Sequence, residues 1–209
     1  MPDFALERLH FADGRRRIAG VDEAGRGALC GPVVAAAVIL PAAFLEGRIP
    51  AWFRRTDDSK RLTPRRREDL ARSIWAESRA AAVGLATHEE VDRLNVFWAA
   101  HLAMRRAVEL LPESPEVVLV DGPALRDCPF PQEAVPQGDR KSFSIAAASI
   151  IAKVVRDGIM AIGAEIYRGY GLDRNKGYGT REHYEALEAL GPSPFHRRTF
   201  RLQYLRKLF

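Results

Sequence analysis

The chain has 209 residues, of which 47% are hydrophobic, and this suits one large folded domain and excludes a disordered tail. No apolar run approaches the ~20 residues that a membrane span requires. The first ten residues lack the basic segment followed by a long apolar segment that is typical of a secretory signal, so we expect a cytoplasmic protein without membrane contact. The 32 Lys and Arg residues exceed the 27 Asp and Glu residues, and the net charge of +5 favours a polyanionic partner. Cys30 and Cys128 lack a metal-type spacing and are expected to be reduced thiols.

The first predicted elements are two neighbouring strands in the segment from Ile18 to Leu40. An apolar run ends at two adjacent carboxylates, Asp22 and Glu23, and a glycine-rich turn around Arg26 separates it from a second apolar run. Carboxylates at the end of a buried strand are costly unless cations neutralise them. Either a divalent metal ion or Arg26 with its basic neighbours could supply that charge, and this segment alone does not decide between them.

Strands and helices alternate along the rest of the chain, which predicts an α/β domain. The Thr63-Pro64 pair predicts a helix N-terminus, and Thr87 with Glu90 predicts a capping box that begins one long helix. The predicted elements are a helix over 63–78, a strand over 79–86, the long helix from 87 to the prolines at 112 and 115, a strand over 117–120, a fifth strand near 134, and helices over 144–167 and 181–190.

Two further carboxylates stand at informative positions. Asp121 directly follows the apolar run Val117 to Val120 and is therefore expected at the end of a buried strand. The predicted helix from Ser144 is apolar on most of its circumference and carries one polar arc about 100° wide. That arc consists of Ser149, Lys153, Arg156 and Asp157. It could face solvent or a functional site, and Lys153 could contact a phosphate or pair with Asp157 four residues on.

These carboxylates together predict a site for hard divalent cations. Mg²⁺ and Mn²⁺ prefer oxygen ligands, and the five histidines are scattered without a zinc spacing. Carboxylates that converge beside basic loops are typical of two-metal phosphodiester hydrolysis. One geometric objection applies, because adjacent residues of a regular strand point to opposite faces. Asp22 and Glu23 could share an ion only if the strand bends or stops at the following glycines.

An ordered set of motifs from about Ile18 to Phe200 resembles the bacterial ribonuclease HII family. The motifs are Asp22-Glu23-Ala24-Gly25-Arg26-Gly27, Gly31 to Val38, Asp58-Ser59-Lys60, Leu94-Asn95, Asp121-Gly122, Gly138-Asp139, Ala146 to Asp157, Lys176-Gly177-Tyr178-Gly179-Thr180 and His196-Arg197-Arg198-Thr199-Phe200. The resemblance implies a ribonuclease H-like α/β fold with a central mixed β-sheet flanked by helices. Residues 1–168 would form the catalytic domain, and residues 169–209 a helical extension packed on it.

The resemblance also implies an activity. The family cuts the RNA strand of RNA–DNA hybrids and incises duplex DNA on the 5′ side of a single embedded ribonucleotide, leaving 5′-phosphate and 3′-hydroxyl ends and supporting ribonucleotide removal. The cofactor would be Mg²⁺ or Mn²⁺, with two ions per site, and the protein is expected to be a monomer without a recognisable replication-clamp motif. Two alternatives stay open: another nuclease or transposase of the same fold, and a non-catalytic nucleic-acid-binding protein whose carboxylates are held by arginines.

Residue roles are implied by matching position. The catalytic residues and metal ligands would be Asp22, Glu23, Asp121 and Asp157. Gly25, Arg26 and Gly27 match the turn that reads the 2′-hydroxyl group, which is the group that separates RNA from DNA. Tyr178 matches the tyrosine that packs on the neighbouring sugar at the ribo-to-deoxy junction. The further substrate contacts expected are Lys153, Arg197 and Arg198, the two arginines along the duplex backbone.

The chain departs from the family pattern at two positions. Ala28 stands where proline is common after the turn, and this change would soften the turn. Gln137 stands where many relatives carry lysine, so one possible phosphate contact is lost and the salt dependence of binding should fall. Neither position is a carboxylate, so the expected chemistry is unchanged.

Overall fold

A mixed five-stranded sheet forms the centre of the computed structural model, which describes residues 2–50, 52–53 and 63–200. The strands are β1 Ile18–Ala24, β2 Val33–Ile39, β3 Ala80–Ala86, β4 Val117–Asp121 and β5 Gln132–Val135. Their order across the sheet is β3-β2-β1-β4-β5. The pairs β1–β2 and β2–β3 are antiparallel, whereas β1–β4 and β4–β5 are parallel. The predicted Asp58-Ser59-Lys60 match lies outside the described residues.

Helices cover the sheet. Within the described ranges they are α1 Ala5–Ala12, α2 Ala42–Leu45, α3 Pro64–Glu77, α4 His88–Leu94, α5 Val96–Glu109, α6 Phe143–Ile166, α7 Leu172–Asn175 and α8 Arg181–Leu190, with a 3₁₀ turn over Gly138–Arg140. The Thr63 hydroxyl caps α3 as predicted, accepting a hydrogen bond from the amide of Arg66. No helix in the described part of the chain is long and apolar enough to cross a bilayer.

The single long helix predicted from residue 87 is wrong, because the chain forms two helices there. Thr87 and Glu90 do form the predicted capping box at the start of α4. Asn95 then adopts a φ of +67°, and its side-chain oxygen accepts hydrogen bonds from the amides of Phe97 and Trp98 to begin α5. The apolar stripe runs through this point, so helical periodicity alone could not reveal the break.

Helices pack closely on both faces of the sheet where strands carry glycine. A Cβ at Gly84 in β3 would lie 2.3 Å from the Ala103 carbonyl oxygen in α5, and a Cβ at Gly20 in β1 would lie 2.2 Å from the Ser144 carbonyl carbon in α6. Only glycine permits approaches this close. Because side chains alternate along a strand, Gly20 and the following even-numbered residue, Asp22, face α6.

Helix α1 was missed by the sequence analysis, and a buried carboxylate connects it to the start of α6. Glu7 is 2% exposed, and its Oε1 accepts hydrogen bonds from the Ser142 hydroxyl at 2.6 Å and from the amide and hydroxyl of Ser144 at 2.8 and 2.7 Å. A carboxylate at a helix N-terminus is favoured by the helix dipole. This contact fixes the N-terminal end of the helix that runs beneath the carboxylates of β1.

Candidate active site

The ends of two parallel strands bring Asp22 and Asp121 together. Val21 in β1 is paired with Val120 in β4, so Asp22 and Asp121 are the next residues on adjacent strands. Side chains at equivalent positions of neighbouring strands share one face of the sheet, with the strands about 4.8 Å apart. Asp22 is 5% exposed and its Oδ1 accepts the Glu23 amide at 2.7 Å, whereas Asp121 Oδ1 accepts the Gly138 amide at 2.6 Å.

Glu23 joins this carboxylate cluster although the strand stays regular. β1 remains paired through Ala24 with β2, and the expected break comes only at Gly25, which has a φ of +98°. Glu23 therefore leaves the strand on the face opposite Asp22. Its longer side chain is 8% exposed and still reaches Asp22 by a side-chain hydrogen bond; burial raises the pKa of Glu23, and the charge of Asp121 raises it further.

Electrostatics show that the carboxylate cluster (Asp22, Glu23 and Asp121) holds excess negative charge. Burial raises the pKa of Asp22 well above its ordinary value, the charges of Glu23 and Asp121 raise it further, and a hydrogen bond from Ser149 lowers it. Burial also raises the pKa of Glu23, although the Arg26 guanidinium donates to its Oε1 at 3.1 Å. One guanidinium does not balance three carboxylates, and an all-oxygen donor set of this kind fits a hard divalent cation.

Asp157 contacts basic side chains in the structure, and no hydrogen bond or ion pair among the described residues connects it to the other three predicted carboxylates. Ser149, which hydrogen-bonds Asp22, precedes Asp157 by two turns of α6, or about 12 Å along the helix axis. Asp157 Oδ1 accepts a hydrogen bond from Lys153 Nζ at 2.7 Å, and its Oδ2 lies 3.8 Å from Arg67 Nη1. Two basic side chains thus neutralise Asp157 in the groove between α3 and α6.

Asp139, part of the Gly138-Asp139 motif, lies in a turn next to the carboxylate cluster. The amide of Gly138 donates to Asp121, and a Cβ at Gly138 would lie 3.4 Å from the same carboxylate oxygen. The 3₁₀ turn that contains Asp139 therefore packs against the carboxylate cluster. The Gly138-Asp139 motif was the available signal, whereas the fourth carboxylate implied by the resemblance was Asp157.

Arg197 is fully buried, so the prediction that it lies along a duplex is wrong. Its Nε donates to the Gly31 carbonyl at 3.0 Å, its Nη1 to the carbonyls of Arg26 and Ala28 at 2.9 and 2.7 Å, and its Nη2 to the Gly25 carbonyl at 2.8 Å. A guanidinium enclosed by four backbone carbonyls cannot reach a phosphate. A run of basic residues near a terminus gives no local sign of such burial, which depends on contacts with a distant loop.

An open cleft of about 380 Å³ joins the carboxylate cluster to the turn at residues 25–27, with Glu23, Lys153 and Tyr178 among the residues that line it. Tyr178 forms an isolated β-bridge with Ala28, which brings the two predicted recognition elements together. Lys153 Nζ pairs with Asp157 and also lies 5.4 Å from the centre of the Tyr178 ring. The pairing predicted as one alternative for Lys153 is therefore present, and its side chain borders the cleft as well.

Two buried histidines support the loop that carries Tyr178. The Ser193 amide donates to His196 Nδ1 at 3.0 Å, so the proton of neutral His196 is on Nε2. This Nε2 donates to His183 Nε2 at 3.0 Å. His183 then carries its proton on Nδ1, which donates to the Tyr178 carbonyl at 3.0 Å. Burial lowers the pKa of His183 and lowers that of His196 to about 4. Cys30 lies within 4.8 Å of this pair, but the hydrogen bonds already satisfy both rings in their neutral forms.

Comparison with known proteins decides the family. The model of the Ribonuclease HII family matches residues 19–205. The chain belongs to the ribonuclease HII family. A ribonuclease HII from Geobacter sulfurreducens is 52% identical over 188 residues, which cover 90% of this chain and 83% of that protein. The ribonuclease H2 structure from Pyrococcus horikoshii OT3 matches with a TM-score of 0.72 and 27% identity, over 89% of this chain and 94% of that one.

A second solved structure, of an Archaeoglobus fulgidus ribonuclease HII in complex with PCNA, matches with a TM-score of 0.71 and 25% identity, over 89% of this chain and 96% of that one. The predicted ribonuclease H-like fold is confirmed by these matches and by the mixed sheet. As a member of the ribonuclease HII family, the protein is a divalent-metal endoribonuclease that hydrolyses the RNA strand of RNA–DNA hybrids.

Proposed function

We propose that Asp22, Glu23 and Asp121 hold the divalent cations, Mg²⁺ or Mn²⁺, on which hydrolysis depends. The observation that carries this proposal is the convergence of three largely enclosed carboxylates that, among the described residues, are accompanied by the guanidinium of Arg26 alone. Two bound ions would lower the pKa of the attacking water and stabilise negative charge on the leaving 3′-oxygen. Asp22 is the deepest of the three and is the best placed to be shared between ions, with Ser149 orienting its carboxylate.

Asp139 is proposed as the fourth carboxylate in place of Asp157. The support for this assignment is the hydrogen bond from the Gly138 amide to Asp121, which brings the 3₁₀ turn against the carboxylate cluster. The ion pairs of Asp157 with Lys153 and Arg67 argue against its use as a metal ligand. Asp157 instead holds Lys153 at the border of the cleft, where that lysine is proposed to contact a phosphate of the substrate.

The substrate is proposed to include duplex DNA with a single embedded ribonucleotide, cut on its 5′ side to leave 5′-phosphate and 3′-hydroxyl ends. The amides of Arg26 and Gly27 lie in the turn that lines the cleft and donate no hydrogen bond to other described residues. Close backbone contacts from such a turn are suited to reading a 2′-hydroxyl group, and Tyr178 is suited to packing on the neighbouring sugar. Arg198, whose side chain is exposed, is the remaining candidate for a duplex-backbone contact.

Residues 169–209 are proposed to act as an extension of the catalytic domain and not as an independent domain. In support, the described part of this segment shares a buried apolar cluster with the loop after β1, in which Leu29 and Cys30 pack with Tyr170, Leu172 and Leu187. This packing connects Tyr178 to the turn at residues 25–27.

The proposal is tested with a labelled DNA duplex that contains one ribonucleotide, incubated with and without Mg²⁺ or Mn²⁺. We expect metal-dependent incision on the 5′ side of the ribonucleotide and no cleavage of the matched all-DNA duplex. Asp22→Asn should lose turnover by orders of magnitude while it still binds an RNA–DNA hybrid. Cleavage of the all-DNA duplex would favour another nuclease of this fold, and an absence of cleavage with intact binding would favour the non-catalytic alternative.

A further inference from the structure

Two arginine side chains are completely buried beside the cleft, and neither forms an ion pair with a carboxylate of the described residues. Arg156 and Arg197 are each 0% exposed, and within the described ranges the hydrogen bonds of both guanidinium groups go to backbone carbonyl oxygens. A buried cation is costly unless its donors are satisfied, so such an arrangement needs a reason beyond general stability.

Arg156 connects the two recognition elements of the cleft. Its Nε donates to the Pro32 carbonyl at 3.0 Å and its Nη2 to the Cys30 carbonyl at 3.2 Å, both in the loop after β1. Its Nη1 donates to the Lys176 carbonyl at 2.9 Å, two residues before Tyr178. The guanidinium carbon also lies 5.2 Å from the centre of the Tyr178 ring. One side chain thus sets the separation between the loop after β1 and the aromatic ring.

Arg197 determines which way the peptide groups of the turn point. It binds the carbonyls of Gly25 and Arg26, and in a planar trans peptide the amide N–H points opposite to the carbonyl. The amides of Arg26 and Gly27 are therefore directed away from the guanidinium. Neither amide has an acceptor among the described residues, so both remain available to a ligand in the cleft.

We propose that Arg156 and Arg197 are positioning residues that set the discrimination between a ribonucleotide and a deoxyribonucleotide. They hold the amides of the turn and the Tyr178 ring in the one relative geometry that accepts a 2′-hydroxyl group. The inference rests on the proposed function of the turn and of Tyr178. It goes beyond that function because it assigns the selectivity to two side chains that never touch the substrate.

The expected effect depends on the substrate. A duplex with one ribonucleotide offers a single 2′-hydroxyl, whereas a hybrid offers one at every nucleotide of the cut strand, which partly offsets a misplaced contact. Small displacements of a positioning group cost up to about 100-fold in rate. Arg156→Lys and Arg197→Lys keep the charge but cannot reproduce the planar fork of donors, so they should disturb geometry without removing the cation.

The test measures kcat and KM of the full chain on three matched substrates: a duplex with one ribonucleotide, an RNA–DNA hybrid and an all-DNA duplex. For Arg156→Lys and Arg197→Lys we expect kcat/KM on the single ribonucleotide to fall about 10- to 100-fold, mainly through KM, with a smaller loss on the hybrid. Mn²⁺ affinity by calorimetry should be unchanged. Arg168→Lys is the matched control, because Arg168 at the end of α6 donates to one carbonyl, that of Glu165, away from the turn.

Each outcome decides the proposal. Equal losses on the single ribonucleotide and the hybrid, or no loss in a folded variant, would overturn it. If Arg197→Lys fails to fold, Arg156→Lys carries the test because it leaves every Arg197 bond in place; unfolding of both variants would also overturn the proposal, since the arginines would then serve the fold alone. An unmodified protein that cuts neither ribonucleotide substrate would instead contradict the proposed function itself.

Discussion

Two regions beside the cleft bury charged side chains, and they differ in how that charge is compensated. One is the carboxylate cluster; the other, called here the recognition unit, consists of the loop at 25–32, residues 176–178, Arg156 and Arg197. In the carboxylate cluster, three anionic side chains are accompanied by one partly exposed guanidinium. In the recognition unit, seven hydrogen bonds to carbonyls surround the two guanidinium groups. We propose that a cation from solution completes the first region, whereas the hydrogen bonds of the second come from the protein itself, which makes it preorganised.

The largest expected effects are losses of kcat, and they test which carboxylate is the fourth member of the carboxylate cluster. Asp139→Asn should lower kcat on an RNA–DNA hybrid by about 100-fold or more, because it would remove the proposed fourth ligand of the cations that drive hydrolysis. Asp157→Asn should cost less than about 10-fold, since its charge is already neutralised outside the cluster by Lys153 and Arg67. Steady-state kinetics at saturating Mg²⁺ separate the two variants. The reverse order of effects would return the fourth position to Asp157.

A second prediction concerns a substitution in the turn of the recognition unit. Gly25 has a φ of +98°, and a Cβ there would lie 2.0 Å from Arg156 Nε. Gly25→Ala should therefore lower the free energy of unfolding by about 2 kcal/mol or more and reduce kcat/KM on a single ribonucleotide by about 100-fold.

Gly27→Ala is the matched control for that prediction, because a Cβ at Gly27 meets no atom within 4 Å. Its free energy of unfolding in urea should stay within about 0.5 kcal/mol of the unmodified protein. Similar destabilisation by both substitutions would show that the contact with Arg156 is not what makes Gly25 necessary.

The last prediction concerns how the stability of the folded protein depends on pH and on bound metal, without a change in catalytic rate. The folded pKa of Asp22 is raised above its ordinary value of 3.8, so the stability that the protonated group contributes is present below pH 3.8 and is lost as the pH rises through the raised pKa. At neutral pH the metal-free protein therefore carries a penalty that bound cations offset. Mn²⁺ at 100 times its Kd should add about 2.7 kcal/mol to the free energy of unfolding.

Asp22→Asn checks the origin of that penalty. The variant should unfold at a higher temperature than the metal-free unmodified protein at pH 7, because a buried and repelled anion has become neutral. It should also lose most of the stabilisation by Mn²⁺. Calorimetry at pH 5 and pH 7 gives both quantities, and an unchanged response to Mn²⁺ would remove Asp22 from the metal site.

Much of the fold could be predicted because its signals are local. The caps at Thr63 and Thr87 and the apolar strands followed by Asp22 and Asp121 depend on residues within a few positions of each other. The break at Asn95 was missed because Asn95 adopts a positive φ and caps the following helix without interrupting the apolar stripe.

The errors in the site have a different physical origin. The number of turns between Ser149 and Asp157 was readable from the sequence, but the basic partner Arg67 on α3 was not, because it comes from another helix. Arg197 looked identical to its exposed neighbour Arg198, since its burial is created by carbonyls about 170 positions earlier in the chain. Long-range contacts of this kind leave no pattern in the local sequence.

The bond from Arg197 to the Gly25 carbonyl spans 172 positions, and it has a consequence for synthesis of the protein. The strand that carries Asp22 is therefore synthesised long before the guanidinium that binds the neighbouring turn. We therefore expect a chain that stops before Arg197 to lack the hydrogen bonds that order this turn, whatever the state of its β1 strand.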